Sequence, residues 1–130
     1  MENRSAPPAP VVPEVPCGGD VPGLVAFLCE AYGFRERLRI GAHRAQLTYG
    51  GGALIVTDRP EGPVPVWLRV ADADAALARA VALGAVVHAE PEDHVYGERQ
   101  AVVIDPWGNR WTLSQPIADV DPADWGGELR

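Results

Sequence analysis

The chain has 130 residues, a hydrophobic fraction of 47% and a formal net charge of −7, so it can bury a core of its own. It contains no lysine, and its acidic excess argues against binding to the phosphate backbone of nucleic acids. No apolar run is long enough to span a membrane and no signal-peptide hydrophobic segment is present, so we expect a cytoplasmic protein.

Residues 1–10 are rich in proline, which precludes a helix, and we expect a flexible arm there. Residues 11–58 then predict a first βαβββ module. It would begin with an edge strand near Val11 to Val15 and continue with a helix that Asp20 caps and Gly33 ends. Three strands follow, at about Arg37 to Ile40, Ala45 to Tyr49 and Ala53 to Thr57.

After a linker at residues 59–63 the same order of elements is predicted again, over residues 64–116. This second module has a strand at Val66 to Val70 and a helix that Asp72 caps and Gly84 ends. A strand at Ala85 to Ala89, a polar loop from Pro91 to Arg99 and a hairpin would complete it. Residues 117–130 are predicted to form an acidic C-terminal tail.

The hairpin is predicted from the stretch Asp105-Pro106-Trp107-Gly108-Asn109, whose residue types are typical of a tight turn. Apolar alternating runs flank it on both sides. In the strand that follows, alternation places Trp111 and Leu113 on a face suited to the core. The other face, suited to solvent or a ligand, carries Arg110, Thr112 and Ser114.

These motifs resemble the vicinal oxygen chelate superfamily, which includes glyoxalases, bleomycin-resistance proteins and extradiol dioxygenases. The resemblance implies an α+β fold of two βαβββ modules, whose curled sheets form a cleft that is usually completed in a homodimer. The first half matches mainly through Tyr32-Gly33-Phe34. The second half carries the stronger likeness, in Val70-Ala71-Asp72-Ala73-Asp74, Gly84-Ala85, Tyr96-Gly97-Glu98-Arg99 and the stretch from Asp105 to Trp111.

The resemblance also implies where metal ligands would lie if this chain were one of the superfamily's metal enzymes. The positions are Pro65 and Thr112 in the second module, and Glu14 and Leu54 or its neighbours in the first. Only Glu14 could ligate as an anion, because proline and leucine offer no side-chain donor and threonine is a weak neutral ligand. We therefore expect no catalytic metal, no cofactor and no catalytic residue.

The cleft side of the second module is predicted from alternation in its first strand, which turns Pro65, Trp67 and Arg69 away from the helix. Trp67 is then either a platform for a ligand or a residue of a subunit contact. Trp107 is either a lid or an exposed turn residue, and Tyr96 is similarly ambiguous. The predicted ligand-binding residues are Trp67, Arg69, Tyr96, Trp107, Arg110 and Thr112.

These features favour a metal-free binding protein, not an enzyme, that sequesters a bulky aromatic natural-product antibiotic, for example a peptide with planar chromophores. It would act as a homodimer, with the proline-rich arm reaching the partner subunit. One alternative is a metal-dependent lyase, thiol transferase or dioxygenase, with Glu14 drawn to His43 or His88. The other is an interaction domain without a small ligand, with Trp67 buried in a subunit contact.

Overall fold

The computed structural model describes residues 2–60 and 62–130, so Met1 of the predicted arm and Glu61 of the predicted linker lie outside the described residues. The described residues form two four-stranded sheets and two α-helices, which divide into two compact units. The first unit ends at Val64 and also includes Trp107–Asn109, while the second holds residues 65–106 and 110–130. None of the described helices is long and apolar enough to cross a membrane.

The first unit contains one sheet and one helix. Its helix begins where the Asp20 carboxylate accepts a bond from the Gly23 N–H at 3.1 Å, and it ends at Gly33, whose φ of 84° favours glycine. In the sheet, of order β1-β4-β3-β2, β1 is parallel to β4 and the other pairs are antiparallel. The elements are β1 (Glu14–Pro16), α1 (Val21–Tyr32), β2 (Arg35–Ile40), β3 (Arg44–Tyr49) and β4 (Gly52–Thr57).

The second unit repeats this order. Its sheet has the order β5-β8-β7-β6, with β5 parallel to β8, and Asp72 caps its helix through the Ala75 N–H at 3.1 Å. The predicted α+β fold of two βαβββ modules is thereby confirmed. The elements are β5 (Pro65–Arg69), α2 (Ala73–Ala82), β6 (Val86–Asp93), β7 (Glu98–Ile104) and β8 (Arg110–Pro116), followed by a short 3-10 helix at Pro122–Trp125.

One face of the second sheet packs against α2 and forms the core of that unit. Trp111 and Leu113 of β8 are fully buried there, as the alternation predicted. The Trp111 indole N–H donates a hydrogen bond to Asp105 Oδ2 at 2.8 Å, so the aspartate that opens the turn also satisfies the buried indole. The β7–β8 turn is therefore fixed by the core as well as by its own residue types.

The predicted polar loop from Pro91 to Arg99 is wrong in extent. β6 continues through Asp93 and β7 already begins at Glu98, so only residues 94–97 form the turn. Pairing of Glu92 with Gln100 outweighs the weak strand preference of the acidic residues. Pro91 is tolerated because the pairing is irregular just before it and β6 is an edge strand.

The predicted first strand also begins too early, since β1 starts at Glu14 and Val11 is exposed. Residues 4–6 of the arm nevertheless contact the first sheet. Arg37 donates to the carbonyl oxygens of Arg4 and Ala6 at 2.9 and 3.0 Å, and the buried Gln46 amide donates to the carbonyl of residue 5 at 2.9 Å. The arm is thus held on the sheet of its own chain.

Asn109 anchors the β7–β8 turn to the rest of the first unit. Its side chain is fully buried, its Oδ1 accepts a bond from the Val64 N–H at 3.1 Å, and its Nδ2 donates to the Pro16 carbonyl at 2.9 Å. A single side chain therefore satisfies two backbone groups from distant parts of the sequence.

We expect Asn109→Ala to lower the free energy of unfolding by about 2–4 kcal/mol, because two backbone groups lose their partners. Urea denaturation measures the change. The neighbouring exposed Arg110→Ala should change it by less than about 0.5 kcal/mol. Equal effects of the two substitutions would show that the Asn109 bonds do not stabilise the turn.

Arg37→Ala should release the arm, and trypsin should then cleave after Arg4 roughly five-fold faster, since a factor of five corresponds to about one hydrogen bond. Arg39→Ala is the matched control, because it removes an arginine of the same strand that bonds to Glu36. Similar cleavage rates in the two variants would contradict the docking of the arm.

Candidate functional site

The second sheet has one face that its own helix does not cover. Pairing of β5 with β8 sets Trp67 opposite Thr112 and Arg69 opposite Ser114. Leu68, between them, is only 6% exposed on the core side, whereas Trp67 is 51% exposed. We call this surface the helix-free face; its members in β5, β7 and β8 are Pro65, Trp67, Arg69, Glu98, Gln100, Val102, Ile104, Arg110, Thr112 and Ser114.

Trp67 is the large aromatic side chain of the helix-free face. The guanidinium carbon of Arg69 lies 5.9 Å from the centre of its ring, within the range of a cation–π contact. Across the sheet, Trp67 is followed in one row by Thr112 and Val102. Both are short side chains and are half-buried, whereas the indole beside them is half-exposed.

A chain of hydrogen bonds crosses the same face beside this row. Tyr96 donates from its hydroxyl to Gln100 Oε1 at 2.8 Å, and Gln100 Nε2 donates to Ser114 Oγ at 3.0 Å. Ser114, which is fully buried, donates in turn to Glu98 Oε1 at 2.7 Å. The chain links the β6–β7 turn to the strand that carries Thr112, and it ends at a carboxylate.

Tyr96 is held in place by two aromatic contacts. Its ring stacks on His94 with 5.1 Å between centres and meets Trp125 edge-on at 5.5 Å. Trp125 belongs to the short 3-10 helix within the region predicted as a tail. Tyr96 therefore has a fixed orientation, and its hydroxyl reaches the helix-free face through Gln100.

Five of the six predicted binding residues belong to the second unit, where the helix-free face or its hydrogen-bond chain includes them. Arg110 is exposed at the start of β8 and pairs with Pro65. The sixth, Trp107, belongs to the first unit. Its ring packs edge-on against Phe27 with 6.0 Å between centres, so it is not an exposed turn residue. It does not belong to the row of Trp67, Thr112 and Val102 either.

Trp107 also lines a small cavity of the first unit. The volume of this cavity is about 140 Å³, and its wall includes Cys17, Arg59 and Pro63. Burial raises the pKa of the Cys17 thiol, and the thiol donates to the Thr57 carbonyl at 3.3 Å. A protonated thiol of this kind is a packing group rather than a nucleophile.

Gln100 and Glu98 are functional candidates that the sequence reasoning did not single out. The sequence predicts a strand at Gln100 without a role for its side chain, and a loop at Glu98. The signal that could have identified Gln100 is its parity, because it lies on the opposite side from the buried Ala101. No local pattern identifies Glu98, because the predicted loop extends through Arg99 whereas β7 begins at Glu98.

Glu14 was the one predicted metal position that could supply an anion. In the structure Arg44 and Arg59 bind its two carboxylate oxygens at 2.8 and 2.5 Å. The hydrogen bond from Arg44 holds the pKa of Glu14 below its usual value, and the nearby Arg59 charge acts in the same direction. Two cations already compensate this carboxylate, which makes it a poor metal ligand.

Leu54 is wrong as the first-module counterpart of Thr112. It is buried, only 2% exposed, and it alternates with Ile55, which pairs with Glu14. The β1–β4 pairing sets Pro16 opposite Thr57, as the β5–β8 pairing sets Trp67 opposite Thr112. Thr57 is therefore the equivalent residue, and a constant offset fails because β6 and β7 are longer than β2 and β3.

The two histidines that the enzymatic alternative would draw to Glu14, His43 and His88, are both exposed. His43 Nδ1 lies 2.7 Å from Asp58 Oδ2 at an exposed position, and His88 is exposed on β6. Across residues 2–60 and 62–130, no group of three His, Cys, Asp or Glu side chains could hold a metal ion. The residues at the four family positions, Pro65, Thr112, Glu14 and Thr57, do not fit a divalent metal site, because three of them carry no charged or imidazole donor.

One family model matches most of the chain. The model of the Glyoxalase/Bleomycin resistance protein/Dioxygenase superfamily matches residues 17–113. An uncharacterized protein of Mycobacterium bovis is 40% identical over 72 residues, which are 55% of this chain and 47% of that protein. This chain thus spans less than half the length of the first curated relatives it matches.

Two solved structures are similar to this chain over most of their length. TioX from Micromonospora sp. ML1 superposes with a TM-score of 0.70 and 29% identity, covering 82% of this chain and 98% of TioX. A glyoxalase/bleomycin resistance protein from Streptomyces sp. CB03234 has a TM-score of 0.65 and 30% identity, covering 80% and 97% of the two chains.

The Glu14 ion pairs predict a pH dependence of stability. Because the folded pKa of Glu14 is lowered from about 4.5, the carboxylate stabilises the fold above that pH and ceases to do so as the pH falls through the lower folded value. Glu14→Gln should therefore be less stable than the parent chain at pH 7, with the difference shrinking below pH 4.5.

Urea denaturation of both proteins between neutral and acidic pH measures this difference. Glu30→Gln removes the same charge from an exposed position of α1 and controls for the change in net charge. A Glu14→Gln difference that stays constant across the pH range would mean that the arginine contacts do not stabilise the ionised form.

Proposed function

We propose that this chain, which belongs to the glyoxalase/bleomycin resistance protein/dioxygenase superfamily, is a metal-free binding protein that sequesters a bulky aromatic natural product of the antibiotic class. The helix-free face of the second sheet would be the binding surface. The family includes enzymes as well as binding proteins, so the proposal depends on the residues of this face.

The observation that carries the proposal is the half-exposed Trp67 beside short side chains on an otherwise ordered face. A large aromatic side chain that packs into no core of its own sheet needs a partner or remains in water. A planar ring on the indole would bury apolar area of both rings and gain the stacking preference of aromatic pairs. Arg69, Arg110 and Thr112 would then orient the polar groups of the ligand.

The antibiotic class of the ligand is proposed from the family. The similar Streptomyces protein carries bleomycin resistance in its name, and the family description includes the same term. A peptide with planar chromophores is one ligand of this class that combines rings for Trp67 with carbonyl groups for the arginines. We further expect a homodimer and a cytoplasmic location, as the sequence predicted.

Protection against an antibiotic by such a binding protein requires no chemical step. A binder present above the concentration of the drug lowers the unbound drug by mass action, in proportion to its affinity. The enzymatic alternative would need a metal at the family positions, where Glu14 is already bound to Arg44 and Arg59.

The proposal predicts saturable quenching of tryptophan fluorescence in chelator-treated buffer on titration with aromatic antibiotics. The panel should include bleomycins and peptides that carry quinoline chromophores, with about one ligand bound per subunit. Trp67→Ala should weaken binding by roughly ten-fold or more, because a stacked ring is worth about 1–3 kcal/mol. Trp67→Phe should retain part of the affinity.

Trp125→Phe is the matched control, since it removes another exposed indole but keeps a ring against Tyr96. Its affinity should equal that of the parent chain. Binding that appears only after a divalent metal is restored would instead support the enzymatic alternative. Binding that survives Trp67→Ala unchanged would remove the helix-free face from the proposal.

A further inference from the structure

The hydrogen-bond chain beside Trp67 has a direction, and the direction determines what it can offer a ligand. Tyr96 donates to Gln100, Gln100 donates to Ser114, and Ser114 donates to Glu98. The hydroxyl protons of Tyr96 and Ser114 and one of the two amide protons of Gln100 are used within the chain. What remains at its end is acceptor capacity, because a carboxylate has about four acceptor sites and Ser114 fills one of them.

The position of this carboxylate relative to Trp67 follows from the strand pairing. Ser114 is the next residue after Thr112 on the same face, and Thr112 lies opposite Trp67. Successive residues on one face of a strand are about 7 Å apart. Glu98 itself pairs with Pro116, beyond Ser114, and its carboxylate reaches back to bond with Ser114. The carboxylate therefore lies about 7 Å or more from the row that contains the indole.

The environment of Glu98 strengthens any bond it makes. Its side chain is half-buried, and its partner Ser114 is fully buried. Hydrogen bonds to an ionised acceptor are shorter and stronger than neutral ones, and partial burial reduces competition from water. Ser114 also holds the carboxylate in one orientation, so little conformational freedom would be lost when a ligand binds.

Resting on the proposed function, we propose that the ring held by Trp67 carries a hydrogen-bond donor, a hydroxyl or an N–H, which binds the carboxylate of Glu98. Trp67 supplies stacking that tolerates many rings, and Glu98 selects among them. Arg69 and Arg110 lie on the same face and suit acceptor groups elsewhere on the ligand. The face thus selects a ligand whose planar ring carries a donor on one side and acceptors on the other.

A pair of neutral probes tests this selection. 3-Hydroxyquinoline and 3-methoxyquinoline share one ring system, and methylation removes only the donor. The dissociation constant of each is measured by equilibrium dialysis at pH 7. We expect the parent chain to prefer the hydroxy compound by about ten-fold or more, the usual effect of a hydrogen bond to a charged acceptor.

Glu98→Gln is the decisive variant. Its amide oxygen can still accept the bond from Ser114, while its NH₂ group presents a donor where the carboxylate offered an acceptor. The preference for the hydroxy compound should therefore disappear, and the affinity for the methoxy compound should stay the same or rise. Glu30→Gln, which removes the same charge from α1, should keep the preference of the parent chain.

The outcomes separate this inference from the proposed function. If the parent chain binds both probes with equal affinity and Trp67→Ala binds neither, the role of Glu98 is overturned and the stacking proposal stays in place. An unchanged preference in Glu98→Gln, with the fold verified by circular dichroism, also overturns it. If neither probe binds, or if Trp67→Ala binds both unchanged, the inference and the proposed function fail together.

Discussion

The parallel pairing of β5 with β8 is the constraint on which the candidate site depends. It brings together strands that are far apart in the sequence and sets Trp67 opposite Thr112 and Arg69 opposite Ser114. Because side chains alternate, the same pairing sends Leu68 and Leu113 into the core under α2. A shift of one residue would exchange the two faces, so the buried residues of β8 determine which residues a ligand can reach.

The two sheets share a topology but differ in how their polar side chains are used. In the first, Arg44 and Arg59 neutralise Glu14, and the backbone of the arm bonds to Arg37 and the buried Gln46. Polar groups there are satisfied within the chain. In the second, a half-exposed indole stands beside a directed chain of hydrogen bonds that ends in a carboxylate.

Much of the fold and part of the candidate site could be predicted from the sequence. Helix caps, glycine ends and strict alternation are local signals, so they predict the order of the elements and the parity of Trp67 and Trp111. The family is indicated instead by the resemblance of the motifs in the second half of the chain. The pairing of Glu92 with Gln100 is not a local signal, and without it the charged residues between Pro91 and Arg99 predict a loop. For the same reason, the sequence does not place Glu98 in a strand. Because the hairpins of the two modules differ in length, a constant offset predicts Leu54 and not Thr57 as the counterpart of Thr112.

The most direct test of metal-free stacking on Trp67 is the nuclear magnetic resonance spectrum of the indole N–H groups, which follows each of the four tryptophans separately. A quinoline-bearing peptide is titrated into the chain in the presence of chelator. Ring-current shifts should appear at Trp67, with none at the buried Trp111. Shifts confined to Trp107 or Trp125, or shifts that require added metal, would contradict the assignment of the helix-free face as the binding surface.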